Sequence, residues 1–94
     1  MKNTKKLNKA RQKIDEIDNS IFNLIKTRTK VVKHMLGLKQ FKNQIIDHKR
    51  IKIILKKIKK KSVINSIDPK ITLRIWKAII WSYVDFQKRN YKKK

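Results

Sequence analysis

The sequence has no Cys, one Gly and one Pro among its 94 residues. The lack of Cys excludes disulfide bonds and Cys-based metal sites, and it suits a reducing cytosol. The scarcity of Gly and Pro leaves few positions for the turns between short strands, which favours helices. A chain of this length forms one small domain that is too short to bury a large core alone, and this favours association with another chain.

Long apolar runs are also missing. The longest is "AIIW" at residues 78–81, which is far short of the roughly 20 residues of a membrane span. The first 18 residues are polar throughout, so the sequence predicts no signal-peptide core. We therefore expect a cytoplasmic protein without a membrane partner.

Acidic residues are scarce, because six of them face 28 Lys and Arg, and the formal net charge is +22. The six are Asp15, Glu16, Asp18, Asp47, Asp68 and Asp85. Such a charge favours contact with a phosphate backbone, since clustered Lys releases its counterions. However, 23 of the 28 basic residues are Lys, accompanied by many Ile and Asn, as an AT-rich genome would produce. Charge of this kind affects solubility and non-specific binding, so no specific nucleic-acid partner is expected.

One apolar pattern runs through the first 38 residues with alternating steps of three and four, if position 28 is counted. We call its members the seam: Leu7, Ala10, Ile14, Ile17, Ile21, Leu24, Arg28, Val31, Met35 and Leu38. The seam predicts one coiled-coil-like helix of about 35 residues that weakens around residues 37–43. At 1.5 Å per residue this helix is roughly 50 Å long, more than the width of a 94-residue globule. The helix therefore needs a partner from a second chain, and a dimer is predicted.

Two shorter helices are predicted after it. The second begins at about Asp47 and ends within residues 59–66, and its apolar residues are Ile51, Ile54, Leu55 and Ile58. Asp68 and Pro69 predict the start of the third, as N-cap and first helical residue. Its broad apolar face comprises Leu73, Trp76, Ile79, Ile80, Tyr83, Val84 and Phe86. The prediction is an all-α single domain over residues 1–94, with a core at about 7–88 and a basic tail at 89–94. Residues 88–94 are expected to fray.

The seam contains a cation, Arg28, where an apolar residue is expected. A core arginine usually pairs with a carboxylate, but half of the six acids lie in the first half of the long helix. Because a buried cation without a partner is too costly, an anionic ligand is the candidate counter-charge. Lys39 follows Arg28 by eleven residues, or about 16 Å on the same helical face. The two side chains are suitably placed to bind a compact dianion.

Two further arginines are candidates for the same site. Arg11 precedes Arg28 by 17 residues, roughly 25 Å along a straight helix, so it reaches the site only from an antiparallel second chain. Arg50 lies near the start of the second helix and is placed to complete a ring of cationic side chains around the ligand. No Ser has a His spaced to activate it, and His34 and His48 are expected at exposed helical positions. With no Gly-rich phosphate loop or metal cluster, neither cofactor nor metal is predicted, and the site suits charge stabilisation and orientation.

These residues carry a family resemblance. The segment "ARQKIDEIDNSIFNLIKTRTKVVKHMLGLK" (10–39) resembles the first helix of the all-helical chorismate mutases. That helix has an early Arg, an "IDxID"-like segment, a Leu-Leu-x-x-Arg motif and a Lys eleven residues later. The resemblance continues through "DHKR" (47–50) and "IWKAIIWSYVDFQ" (75–87), and covers roughly residues 7–88. The motifs in this order and spacing are more specific than any one alone.

The resemblance implies an intertwined homodimer with two sites that rearrange chorismate to prephenate without covalent catalysis. Arg11 of one chain and Arg28 of the other would bind the substrate carboxylates. Lys39 and Gln87 would hydrogen-bond the ether oxygen of the enolpyruvyl group. The ring side would be bound by residues at the start of the second helix, namely Arg50 and the backbone around Asp47.

Two positions depart from the mutase pattern. Ile51 follows Arg50 where mutases have a Glu that binds the ring hydroxyl, and Tyr83 replaces a small residue. Both departures resemble the isochorismate-pyruvate lyases of the same fold, which form salicylate and pyruvate. Mutase activity is common to both branches, so it is the first prediction and lyase activity is the alternative. A further alternative is a non-enzymatic basic helical protein that binds nucleic acid, with its cations spread over outer faces.

Overall fold

The computed structural model describes residues 2–92 of the chain, and these residues form helices connected by short loops. Within this range there are three α-helices: α1 (Lys2–Leu38), α2 (His48–Ile64) and α3 (Pro69–Asn90). A single 3₁₀ turn, Lys42–Gln44, lies between α1 and α2. No strand occurs within residues 2–92, which confirms the all-α prediction. In this part of the chain, no helix combines the length and apolar character needed to cross a membrane.

The chain divides into two compact units, the first ending at His34 and the second beginning at Met35. The first unit is a single helical segment of α1, whose 37 residues confirm the predicted long helix. Its aliphatic seam residues are exposed in the chain; Leu24, for example, is 69% exposed and Ile21 is 49% exposed. The apolar side of this helix is therefore open to a partner surface.

The second unit contains the core of the described chain. Three buried residues form its centre, namely Ile45 before α2 and Ile80 and Val84 on α3. Partly buried residues pack around them: Leu36, Ile46, Ile51, Ile54, Leu55 and Tyr91. This arrangement follows from the 3.6-residue period of α2 and α3, which places their apolar residues on facing sides.

A pair of hydroxyl groups lies between α2 and α3. Ser62 Oγ, on a residue only 3% exposed, lies 2.6 Å from the carbonyl oxygen of Ile58 and 2.6 Å from Thr72 Oγ1. Ser62 has one hydroxyl hydrogen, which it donates to Ile58, so Thr72 donates to Ser62. Both polar groups are thus satisfied inside the helix interface, as burial requires.

The helices α2 and α3 begin where the sequence predicts. The Asp47 carboxylate accepts a hydrogen bond from the backbone N–H of Arg50 at 3.0 Å and caps α2. The Asp68 carboxylate accepts one from Lys70 at 2.9 Å and caps α3, with Pro69 as the first helical residue. These contacts confirm the predicted starts, since Asp caps the free N–H groups of a first turn.

The connection between α2 and α3 is a Schellman turn, in which Ser66 has a positive φ of 55°. The backbone N–H of Ser66 donates to Val63 at 3.2 Å, and that of Ile67 donates to Ser62 at 2.8 Å. These bonds satisfy the last carbonyl groups of α2. The left-handed conformation at this point normally favours glycine.

The C-terminal segment differs from the prediction. Residues 88–90, which were expected to fray, continue α3 to Asn90. Tyr91 packs against the core and hydrogen-bonds to Gln40 at 2.7 Å. Helical continuation and core contact therefore extend past residue 88, the predicted end of the core. The rest of the predicted tail, Lys93 and Lys94, lies outside the described residues.

Candidate active site

Lys39 is the centre of the candidate site in the second unit. It lies one residue beyond the end of α1, so it is not on the helix itself, and its backbone N–H donates to the carbonyl of Leu36 at 3.2 Å. The side chain is partly buried, and its Nζ donates a hydrogen bond to Gln87 Oε1 at 2.5 Å. The two residues are 48 positions apart in sequence. The structure thus brings together the two groups that were predicted to contact the breaking ether bond.

Gln87 is placed by the apolar face of α3. It follows Ile80 and Val84 in steps of four and three, and it is buried like them. Its Oε1 accepts from Lys39, and its Nε2 donates to the carbonyl oxygen of Tyr83 at 3.2 Å. These two contacts orient the amide. A second N–H on Nε2 and two further N–H groups on the Lys39 ammonium are suited to a ligand acceptor.

Burial lowers the pKa of Lys39 below its ordinary value of 10.5, because desolvation disfavours the charged ammonium. The Asp47 carboxylate acts in the opposite direction and raises this pKa. An anionic ligand beside the ammonium would favour the charged form as Asp47 does. The site therefore contains a cation whose protonation depends on its neighbours.

Three of the predicted site residues lie at the start of α2. Asp47 and Arg50 are both exposed, and the backbone of Arg50 is fixed by the Asp47 cap. Ile51 is partly buried and packs against the core cluster. Because Ile51 has no polar group, this position cannot accept a hydrogen bond from a substrate hydroxyl.

Tyr83 lies one turn before Gln87 on α3 and is partly buried. Its ring meets that of Phe86 edge to face, with centroids 6.4 Å apart. Its backbone carbonyl is the acceptor for Gln87, so any change in the backbone of this turn would reorient the amide. Tyr83 thus contributes both an aromatic ring and a positioning carbonyl.

Arg11 and Arg28 belong to the first unit and are both exposed on α1. The 17 residues between them correspond to about 25 Å of helix. His34, on the same helix, and His48, at the start of α2, are exposed as predicted. Within residues 2–92, no group of three or more His, Asp or Glu is arranged to hold a metal ion.

The contacts around Gln40, the residue that follows Lys39, were not predicted from the sequence. The hydroxyl of Tyr91 donates to the carbonyl of Gln40 at 2.7 Å. The N–H groups of Gln40 and Phe41 both donate to Gln44 Oε1, at 2.8 and 2.9 Å. One signal was present in the sequence, since Tyr91 continues the 4-3-4 spacing of Ile80, Val84 and Gln87.

The chain is similar to known proteins over most of its length. The family described as chorismate mutase type II matches residues 10–88. The chain is also 37% identical over 76 residues to a chorismate mutase of Methanocaldococcus jannaschii, an alignment that covers 80% of this chain and 77% of that protein. No solved structure matches the chain significantly. The extent of the family match and this relative together show that the chain belongs to the chorismate mutase type II family.

Proposed function

We propose that this isomerase rearranges chorismate to prephenate in a site centred on Lys39 and Gln87. The observation that supports this most directly is the 2.5 Å hydrogen bond between the two side chains. It leaves donors of both groups close together and partly shielded from water. In the rearrangement, the ether C–O bond breaks while a C–C bond forms, and negative charge develops on the enolpyruvyl oxygen. Donors placed beforehand at that oxygen stabilise the transition state more than the ground state.

The arginines complete the proposed site by binding the two substrate carboxylates. Arg28 would act within its own chain, and Arg11 would come from the second chain of an intertwined homodimer in the cytoplasm. The exposed seam supports the dimer, because Ile14, Ile17 and Ile21 are each about half exposed in the single chain and burial of such residues favours association. Arg50 and the backbone around Asp47 would bind the ring side of the substrate. The proposed site requires neither a cofactor nor a metal.

Two residues favour a second candidate activity, the isochorismate-pyruvate lyase reaction. Ile51 packs against the core and has no acceptor for the ring hydroxyl of chorismate, and the Tyr83 ring is partly buried. In isochorismate the hydroxyl is at another position of the ring, so an acceptor at position 51 is not required. Breaking the same C–O bond also develops charge near Lys39. The mutase reaction is the main proposal because mutase activity is common to both branches.

The deciding experiment measures kcat and KM of the purified chain with chorismate and with isochorismate, for wild type and Ile51→Glu. A new carboxylate at position 51 can accept a hydrogen bond from the hydroxyl of chorismate, worth about 1.5–3 kcal/mol in a dry site. A mutase should have negligible turnover of isochorismate, and Ile51→Glu should raise only its rate with chorismate. A lyase should convert isochorismate, and Ile51→Glu should shift its preference toward chorismate by roughly ten- to a hundredfold.

Ile51→Gln is the matched control, because glutamine has nearly the same shape as glutamate and has an acceptor oxygen without the charge. A folded, dimeric wild-type protein that converts neither substrate would contradict the enzymatic proposal. The basic nucleic-acid-binding alternative would then take its place.

A further inference from the structure

We propose that Tyr91 is a positioning residue for Lys39. Its hydroxyl group fixes the backbone that follows Lys39 and thereby keeps the ammonium group against Gln87. This inference rests on the proposed role of Lys39 in the reaction. It adds a residue that family membership does not imply, since the family match ends at residue 88.

The backbone around Gln40 is hydrogen-bonded on both sides. The carbonyl of Gln40 accepts from Tyr91 Oη at 2.7 Å. The N–H of Gln40, which belongs to the peptide group shared with Lys39, donates to Gln44 Oε1 at 2.8 Å. Because the N–H of Lys39 donates to Leu36 at 3.2 Å, the backbone is fixed both before and after the Lys39 side chain.

Tyr91 is anchored well enough to act in this way. Its ring packs against the cluster of Ile45, Ile80 and Val84, so the hydroxyl is attached to the core and not to a free terminus. Gln87 and Tyr91 are four residues apart at the end of α3, or about 6 Å along a helix. The end of α3 therefore contacts the Lys39 side chain through Gln87, and the carbonyl of the next residue, Gln40, through Tyr91.

This double contact matters because Lys39 lies in a loop and not on a helix. A donor that acts on a transition state must be held within about 0.5 Å of its productive position. The 2.5 Å contact with Gln87 alone does not fix the direction from which the side chain approaches. With the Gln40 peptide also fixed, the Lys39 side chain starts from a defined point.

The test compares Tyr91→Phe, which keeps the ring and loses only the hydroxyl, with Asn90→Ala. The control removes a side-chain hydrogen bond at the same helix end, from Asn90 Nδ2 to the carbonyl of Phe86 at 2.8 Å. We expect faster hydrogen exchange at the amides of Gln40 and Phe41 in Tyr91→Phe and no change in Asn90→Ala. Gln44→Ala, which removes the acceptor of these two amides, should also speed their exchange.

The kinetic part of the test uses chorismate. In Tyr91→Phe we expect kcat to fall about ten- to a hundredfold, with KM nearly unchanged because the arginines still bind the carboxylates. The alkaline limb of kcat/KM should move toward the ordinary pKa of lysine. A looser Lys39 is more hydrated, so desolvation lowers its pKa less, while the Asp47 carboxylate still raises it. A purely structural role of Tyr91 would not move this limb.

Unchanged exchange at Gln40 and Phe41 would overturn the inference, whatever the activity. Faster exchange together with a wild-type kcat and pH profile would overturn it too. Loss of activity without a shift of the alkaline limb would assign Tyr91 to stability alone. Failure of the proposed role of Lys39 is a separate result, seen as full activity in Lys39→Ala, and failure of the proposed function is seen as a wild-type protein that converts neither substrate. The exchange experiment does not depend on activity.

Discussion

The charged ammonium group of Lys39 lies where water is partly excluded, and this burial of a charge opposes folding. Desolvation lowers the pKa of Lys39, and the Asp47 carboxylate only partly opposes the effect. The unfolded chain therefore binds this proton more tightly than the folded one. The free energy of unfolding should rise as pH increases through the folded-state pKa toward 10.5. A group that opposes folding at neutral pH is typical of a functional site.

The activity of the enzyme should depend on pH in the opposite direction. Only the protonated Lys39 can donate to the developing oxyanion, so kcat/KM should fall as pH rises through the pKa of Lys39 in the free enzyme, below 10.5. Lys39→Ala should lower kcat by about 10²–10³-fold, the usual effect of removing one oxyanion donor. Rate measurements across the alkaline range check both expectations. A flat profile in wild type would show that another donor performs this role.

The sequence predicts single residues of the site unevenly. Lys39 was named from its spacing to Arg28 and Gln87 from the family resemblance. Their contact could not be derived from spacing alone, because it joins residues 48 positions apart. Tyr91 was assigned to a fraying tail, although it makes a hydrogen bond to Gln40 across 51 positions. Long-range contacts depend on how elements pack, and a local pattern does not contain that information.

At the scale of elements, the starts of α2 and α3 were predicted, that of α3 from Asp68 as its N-cap and that of α2 at about Asp47. The Asp47 and Asp68 carboxylates accept hydrogen bonds from the first turns, and this requires only residues close in sequence. The end of α3 was not predicted, because Lys and Arg at a helix end are compatible both with fraying and with a stable last turn. In the structure, Arg89 pairs with Asp85 at 2.8 Å and Asn90 bonds to Phe86.

The turn between α2 and α3 provides a prediction of stability. Ser66 adopts a φ of 55°, which costs roughly 1 kcal/mol or more for a residue with a side chain. Ser66→Gly should remove this cost. Because glycine also loses more conformational freedom on folding than serine, the net rise in the free energy of unfolding should be about 0.5–1 kcal/mol. Denaturation by urea, with wild type at the same protein concentration, measures the difference.

Asn65→Gly is the matched control for this turn. Asn65 has a φ of −96°, and its side chain donates to the carbonyl of Lys61 at 2.7 Å. Glycine there relieves no strain and removes a hydrogen bond, so stability should fall. An equal effect of the two substitutions would mean that the turn geometry at Ser66 is not strained.

At the scale of the whole molecule, the proposed sharing of Arg11 between the two chains of a dimer leads to a quantitative prediction of the activity of mixed variants. Arg11→Ala and Arg28→Ala should each be nearly inactive, because each lacks a contact to a substrate carboxylate. In a mixed dimer, one site draws Arg28 from the first variant and Arg11 from the second, while the other site has neither. Random exchange of equal amounts makes half of the dimers mixed, so about a quarter of the wild-type activity should return.

Subunit exchange has to be confirmed in the same sample, for instance by mass spectrometry of intact dimers. Two inactive variants that exchange and stay inactive would place Arg11 and Arg28 in one chain's site or outside it. Sedimentation that shows a folded monomer of 11.4 kDa at micromolar concentration would contradict the dimer itself.

The open seam of α1 also has a kinetic consequence. Helices form within about a microsecond, and the contacts between α2 and α3 join neighbours along the chain. These events do not depend on protein concentration. Covering the seam by the proposed second chain is a bimolecular step, so the final phase of folding should slow in proportion as the protein is diluted. In a cell, the rate of synthesis would then determine how long this apolar helix remains exposed to chaperones and to other chains.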